Sequence, residues 1–234
     1  MTLSLRLTGV RADGMHLVDA EMVTVDLADE LAIDPDSTGL TVLDASGGAG
    51  LPVPDDDRNL IGLALRLAGR TAGVELRKRI PAGAGLGGGS ADAAAILRWA
   101  GYDDTEAAAT LGADVAFCLV GGRARVRGIG ELVEPLPHVD RTLTLVTPPF
   151  GCSTPVVYRA WDELGGPTVE GPNDLEPAAL RVEPRLGEWR DLLGNASGTT
   201  PVLAGSGSTW FVEGAFPEVP GAIVVNTVPA GWSP

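Results

Sequence analysis

From Pro81 to Ala91 the chain reads Pro-Ala-Gly-Ala-Gly-Leu-Gly-Gly-Gly-Ser-Ala, and the helix-forming run Ala91–Leu97 follows at once. Glycines let successive backbone N–H groups turn toward a ligand and let it come close. A helix starting behind them adds unsatisfied N–H donors and the positive end of its dipole. Ser90 is a polar residue able to cap that helix. The chemistry on offer is anion binding, phosphate above all. The run lacks the Gly-Lys-Ser/Thr of a P-loop. Gly83, Gly85 and Gly88 do satisfy GxGxxG, with Asp103 and Asp104 about twenty residues on, as in dinucleotide folds. The preceding Val74–Ile80 alternates charged with apolar residues, however, whereas the first strand of such a fold is apolar throughout. A kinase-type phosphate loop is therefore expected ahead of a nicotinamide-dinucleotide oxidoreductase site.

Other residues could act beside that loop. Asp114, in Gly112-Ala113-Asp114, is a carboxylate able to take a proton from a hydroxyl, or else an ordinary turn residue. Gly205-Ser206-Gly207-Ser208 is a second small turn that could approach an anion or close a hairpin. His16 follows Met15 in a polar loop, and Tyr158 stands at helical spacing from Trp161. Each of these side chains also has a plain structural reading as loop or core.

The elements that must hold these residues read as a mixture of strands and helices. Leu3, Leu5 and Leu7 alternate, as do Val23, Val25 and Leu27 within Met22–Ile33, which marks half-buried strands. Thr41–Leu43 and Gly73–Ile80 read as further strands, with a loop over 45–54. Asp55-Asp56-Asp57 reads as the acidic start of a helix carrying Leu60, Ile61, Leu63, Leu65 and Leu67. Residues 104–111 form a short helix. Val115–Val120, Gly121-Gly122 and Arg123–Arg127 are expected as a hairpin. A strand is expected at Thr142–Thr147. A helix then opens with Thr154 as N-cap and Pro155 as its first residue, followed by helices over 174–180 and 184–193. Strands at Thr209–Val212 and Ala222–Val228 close an α+β chain of two lobes.

The chain has 234 residues, with 17 basic against 31 acidic, a net charge of −14. That length suits one large or two small domains. The acidic balance argues against a nucleic-acid partner, whose phosphates call for clustered lysine and arginine, but leaves room for a nucleotide. Cys118 and Cys152 offer neither a disulfide framework nor a metal-binding spacing, and no carboxylate cage for a metal is visible. No secretory leader and no apolar run of membrane-spanning length stand out, so no membrane and a cytoplasmic location are expected.

Taken in order, the motifs resemble those of the GHMP kinases. PAGAGLGGGSADAAA is similar to their second motif, and its GGGSAD form resembles the diphosphocytidyl methylerythritol kinase family. TGVRADGMH, Asn59-Leu60-Ile61, Leu111-Gly-Ala-Asp114-Val, Asn173-Asp-Leu-Glu176 and Leu203-Ala-Gly-Ser-Gly-Ser208 match further motifs of that family. The resemblance implies a two-lobed α+β fold. A ribosomal-protein-S5-like ATP-binding lobe would cover residues 1–140, and a shortened ferredoxin-like lobe 141–234. It implies ATP-dependent phosphorylation of a small-molecule hydroxyl, with Mg²⁺ arriving on ATP. Asp114 takes the catalytic position. Pro81, Ala82, Gly83, Ala84, Gly85, Leu86, Gly87, Gly88, Gly89, Ser90 and Ala91 take the phosphate-binding positions, and Asn59 and Lys78 fall where the family contacts the nucleotide. His16 and Met15, the latter in place of a family tyrosine, take cytosine-binding positions with Tyr158. Thr154, Gly205 and Ser206 fall at the rest of the substrate. The family opens Ala-Lys-Ile/Leu-Asn-Leu. Leu3-Ser-Leu5 aligns with the end of that strand, so the resemblance implies a reading frame that extends upstream and carries the lysine. Arg6 alternates to the opposite face and cannot stand in for it. Without that lysine the alternative is a nucleotide-binding relative impaired in catalysis.

Overall fold

In the computed structural model, which describes residues 1–47, 50–56 and 58–232, the alternating apolar runs become strands of two sheets. The larger sheet has eight strands. Its centre is β2 (His16–Val25), paired antiparallel with β1 (Thr2–Val10) and β6 (Arg123–Gly128). β7 (Leu132–Leu136) extends it beyond β6. β11 (Ala222–Val228) joins the end of β2 through Thr227↔Val25 and Val228↔Thr24, and continues onto β8 (Thr142–Val146). β10 (Trp210–Glu213) and the two-residue β9 (Val202–Leu203) follow. The last strand of the chain is thus hydrogen-bonded to the second. The smaller sheet has the order β3 (Glu30–Asp34), β5 (Gly73–Lys78), β4 (Gly39–Asp44).

Seven helices are present among the described residues: α1 (Leu60–Leu67), α2 (Gly88–Trp99), α3 (Thr105–Ala109), α4 (Val115–Val120), α5 (Thr154–Glu163), α6 (Glu176–Val182) and α7 (Leu186–Ser197). Buried Ile61, Val74, Leu76, Ile96, Leu97 and Val115 form a core between α1, α2, α4 and the small sheet. Leu5, Leu7, Met22, Phe117, Val157, Trp161, Leu175, Leu186 and Trp210 form a second core, which packs α5, α6 and α7 on the large sheet.

Several sequence expectations are corrected. Val115–Val120 is helix α4, not a strand. Its continuous apolar run fits either state by pattern. The helix wins because one face reaches the small-sheet core through Val115 and another reaches the large-sheet core through Phe117. Gly121 and Gly122 accordingly end a helix rather than turn a hairpin. The run Met22–Ile33 is two strands, β2 and β3, broken between them. α1 has no acidic residue in its first turn and is capped by Asn59, while Asp56 pairs with Arg58. Asp57, and Gly48 and Ala49 of the expected loop, lie outside the described residues. Ser153, not Thr154, holds the N-cap position of α5, with no capping bond from its side chain, and the Thr154 hydroxyl is engaged instead with Ser206 at 2.8 Å. β7 carries Pro135, which a strand tolerates at a sheet edge.

Candidate active site

The glycine run leaves β5 and coils before α2 begins. Gly83, Gly85 and Gly87 sit at φ values of +75°, +75° and +74°, a region that side chains resist. Left-handed residues set between ordinary ones turn successive N–H groups to one side, forming an anion-binding concavity. Gly87 itself is the N-cap of α2, so the open N-terminus of that helix adds its donors. Tight packing fixes the coil. Gly83 O accepts hydrogen bonds from Cys152 N (2.9 Å) and Ser208 N (3.1 Å), and Ala84 O accepts one from Thr209 N (3.0 Å). A Cβ on Gly85 would collide with Ala204 O and stand 2.8 Å from Gly207 O. The two glycine turns of the sequence are therefore seated on each other.

They enclose a cavity of about 560 Å³ lined by residues 81–90, Thr2, Met15, His16, Asp114, Thr154, Tyr158, Gly205 and Ser206. Asp114 arrives at the start of α4, and its Oδ2 lies 3.7 Å from where a Gly87 Cβ would be. Burial raises its pKa, and the nearby α-amino group of Met1 opposes that rise. That amine donates to Val23 O at 2.7 Å. Among the described residues, no lysine or arginine lines the cavity. Tyr158 keeps its proton, since burial and the Asp114 charge both push its pKa up. Burial likewise pushes the thiols of Cys118 to about 12 and Cys152 to about 11, which leaves both un-ionised and unsuited to nucleophilic roles.

Not every expected residue meets this cavity. Lys78 is buried at 3% exposure beneath the first turn of α2, bonded to Asp29 and to Asp92 (2.9 Å). It faces a second cavity of about 390 Å³, with Asp44, Asp55 and Leu51, whose wall shares Ala82 with the first. Asn59 caps α1 by accepting from Ile61 N at 3.0 Å and lines neither cavity. Ala91 also stands behind the rim.

Other positioning residues were missed in the sequence. Asn173 Nδ2 donates to Leu203 O (2.8 Å) and Gly205 O (2.7 Å), and its Oδ1 accepts from Leu175 N. It thereby holds the second glycine turn. The buried Asp174 accepts from Leu7 N (3.0 Å), Val169 N (3.1 Å) and Arg6 (2.8 Å), which ties β1 to the cavity edge. Their motif was visible, but nothing local gave it a role. Asp29 accepts from Ile80 N (2.9 Å) and Arg79 N (2.6 Å), so it fixes the strand end from which the glycine run departs.

Comparison with known proteins gives a consistent picture. Residues 59–122 match the family model described as the GHMP kinases N terminal domain. Over 99% of its length the chain is 35% identical to the 4-diphosphocytidyl-2-C-methyl-D-erythritol kinase of Paracoccus denitrificans, covering 92% of that protein. It is 36% identical to the kinase of the same name from Cereibacter sphaeroides, with 99% and 94% coverage. A crystal structure of 4-(cytidine 5'-diphospho)-2C-methyl-D-erythritol kinase superposes with a TM-score of 0.74 at 32% identity, covering 97% of this chain and 96% of the other. A homoserine kinase from Cytophaga hutchinsonii shares the fold at a TM-score of 0.56 and 18% identity.

Proposed function

Because the chain belongs to the 4-diphosphocytidyl-2-C-methyl-D-erythritol kinase family of the GHMP kinases, we propose that its larger cavity transfers the γ-phosphoryl group of ATP to the 2-hydroxyl of 4-diphosphocytidyl-2-C-methyl-D-erythritol. The observation that carries this reading is the juxtaposition of a left-handed glycine coil at a helix N-terminus with a buried carboxylate. Gly87 and Asp114 stand next to each other on the wall of the cavity in which a phosphate and a hydroxyl would meet. Phosphoryl transfer asks a protein for positioning and charge stabilisation more than covalent chemistry. The N–H groups of residues 83–90 and the start of α2 hold the phosphates. Asp114 orients the acceptor hydroxyl and takes its proton. Met15, His16 and Tyr158 seat the cytosine, and Thr154, Gly205 and Ser206 the remainder of the substrate. The second cavity, with Lys78 at its base, receives the nucleoside end of ATP. Asn59 stiffens the helix beside it.

Mg²⁺ fits this site as an ion carried in on the phosphates. Among the described residues no cluster of three metal-binding side chains exists, and Mg²⁺ is commonly held by one or two protein oxygens plus phosphate. Ser90 and Asp114 line the cavity and would supply such oxygens. The ion would neutralise charge on the β- and γ-phosphates. No helix among the described residues is long and apolar enough to cross a membrane; the proposed reaction, on a small molecule, is one we assign to the cytoplasm. The same reading divides the chain near residue 140 into an ATP-binding lobe and a second lobe.

An ADP-release assay with purified protein, ATP and Mg²⁺ tests the reading against a panel of 4-diphosphocytidyl-2-C-methyl-D-erythritol, homoserine and mevalonate. Release specific to the first is expected, and faster turnover of another alcohol refutes it. ATP binding with no turnover would instead favour a non-catalytic relative, a reading supported by the lack of lysine or arginine among the described cavity residues.

A further inference from the structure

Tyr158, Trp161 and Asp162 stand at positions i, i+3 and i+4 of α5, on one face, and all three meet His16. The imidazole centroid lies 4.8 Å from the Tyr158 ring at a tilt of 58°, and 5.6 Å from Trp161 nearly edge-on at 77°. Its Nε2 lies 2.8 Å from Asp162 Oδ1. An ionised carboxylate only accepts hydrogen bonds, so this contact puts a hydrogen on Nε2. Nδ1 has no partner among the described residues, and His16 lines the cavity while Asp162 does not. At 47% exposure the Asp162 carboxylate adds little stability through this pair. What the contact does fix is which imidazole nitrogen is left bare.

We propose that Asp162 is a specificity-determining positioning residue. By keeping the hydrogen of His16 on Nε2, it leaves Nδ1 as a hydrogen-bond acceptor and selects a pyrimidine with an exocyclic amino group over one with a carbonyl there. The inference rests on the base seat proposed above. An amino group donates to the Nδ1 lone pair. A carbonyl in that position sets two acceptors against each other out of water, and a site built around one hydrogen bond rejects the analogue that cannot make it. Without Asp162 the neutral imidazole samples both tautomers. The tautomer with hydrogen on Nδ1 donates to the carbonyl, so discrimination falls. The aromatic rings of Tyr158 and Trp161 hold the plane of the imidazole, so the choice is made by the tautomer and not by rotation.

Two experiments on the full chain test this. The sequence has two histidines, so a long-range ¹⁵N–¹H spectrum shows two imidazoles, and His138→Gln identifies which is His16. At about pH 8 His16 is expected as the single Nε2–H tautomer, becoming a mixture in Asp162→Ala. Calorimetric titration with CDP and UDP is expected to show CDP preferred by the wild type. That preference should shrink about tenfold in Asp162→Ala, the worth of one hydrogen bond, while affinity for an ATP analogue holds. A merely structural role would weaken CDP and UDP alike and leave their ratio unchanged. An unchanged tautomer in Asp162→Ala, a doubly protonated His16 in the wild type, or an unchanged CDP/UDP ratio overturns the inference. Failure of the wild type to bind CDP overturns the base seat itself, and is read separately from the spectrum.

Discussion

Alanine at Gly85 and alanine at Gly87 should have very different consequences, although the two glycines share a backbone conformation. Their φ values are +75° and +74°, and holding alanine in that region costs about 1–2 kcal/mol. At Gly87 the new Cβ meets only Asp114 Oδ2, at an ordinary 3.7 Å, so the cost should stop there. At Gly85 it runs into the Ala204 carbonyl and lies 2.8 Å from that of Gly207. Those carbonyls belong to a turn anchored by Asn173 and by the bonds from Ser208 N and Thr209 N to the glycine coil. Retreat of the turn sacrifices two or three hydrogen bonds at about 1 kcal/mol each, for a total of about 3–5 kcal/mol. In a chain of this size 1 kcal/mol moves Tm by about 2–4 °C. Gly87→Ala should therefore lower Tm by about 2–8 °C, and Gly85→Ala by about 6–20 °C. Scanning calorimetry of both variants with and without an ATP analogue makes the measurement, and the ligand-induced rise in Tm should shrink in both. Equal losses of Tm, or a larger loss at Gly87, would mean that the glycine coil is not seated on the 204–208 turn.

Three further outcomes are expected. Asp114→Asn keeps the shape and loses the basicity, so steady-state kinetics should show kcat reduced by about 10²–10⁴-fold with KM values little changed, and a kcat within a few-fold of wild type excludes Asp114 as the base. Asn173→Ala removes three hydrogen bonds, two of them buried, and should cost about 2–4 kcal/mol in urea unfolding, with KM for the phosphoryl acceptor raised through the loosened turn; unchanged stability contradicts the anchoring role. Asp92 is raised from 3.8 to about 7, chiefly by burial and against the pull of Lys78. A carboxylate whose folded pKa is raised stabilises the fold when protonated, so the wild type loses stability as pH climbs through that window. Lys78 is raised from 10.5 and titrates outside it. Asp92→Asn should gain on the wild type between about pH 4 and 8 in urea midpoints, whereas a constant difference across that range contradicts the assignment.

The glycine coil was legible because its glycines and the helix behind them are contiguous, so local sequence contains the whole device. The alternating strands β1 and β5 were legible for the same reason. α4 was not: a fully apolar six-residue run has no period to read, and its helical state is decided by two cores that meet only in the folded chain. Thr154 does not cap α5 because its hydroxyl meets Ser206 across 52 residues, which no local pattern contains. Lys78 lies at the end of β5, next to the glycine run. Its clamping by Asp29 and Asp92 is tertiary, and Asp29 in particular carries no local sign of its role. Asp162 had a faint signal, being one helical turn beyond Tyr158, but its partner His16 lies 146 residues away at the start of β2.

The central claim is that a phosphoryl group passes from ATP to an alcohol in the cavity lined by the glycine coil and Asp114. Incubating the full chain with γ-³²P-labelled ATP, Mg²⁺ and 4-diphosphocytidyl-2-C-methyl-D-erythritol, and locating the label in the product by chromatography with ³¹P NMR, tests it most directly. The account predicts labelled product bearing a new phosphomonoester on the 2-hydroxyl, formed by the wild type and nearly abolished in Asp114→Asn. Label released only as inorganic phosphate, label at another hydroxyl, or equal product from the Asp114→Asn variant would contradict it.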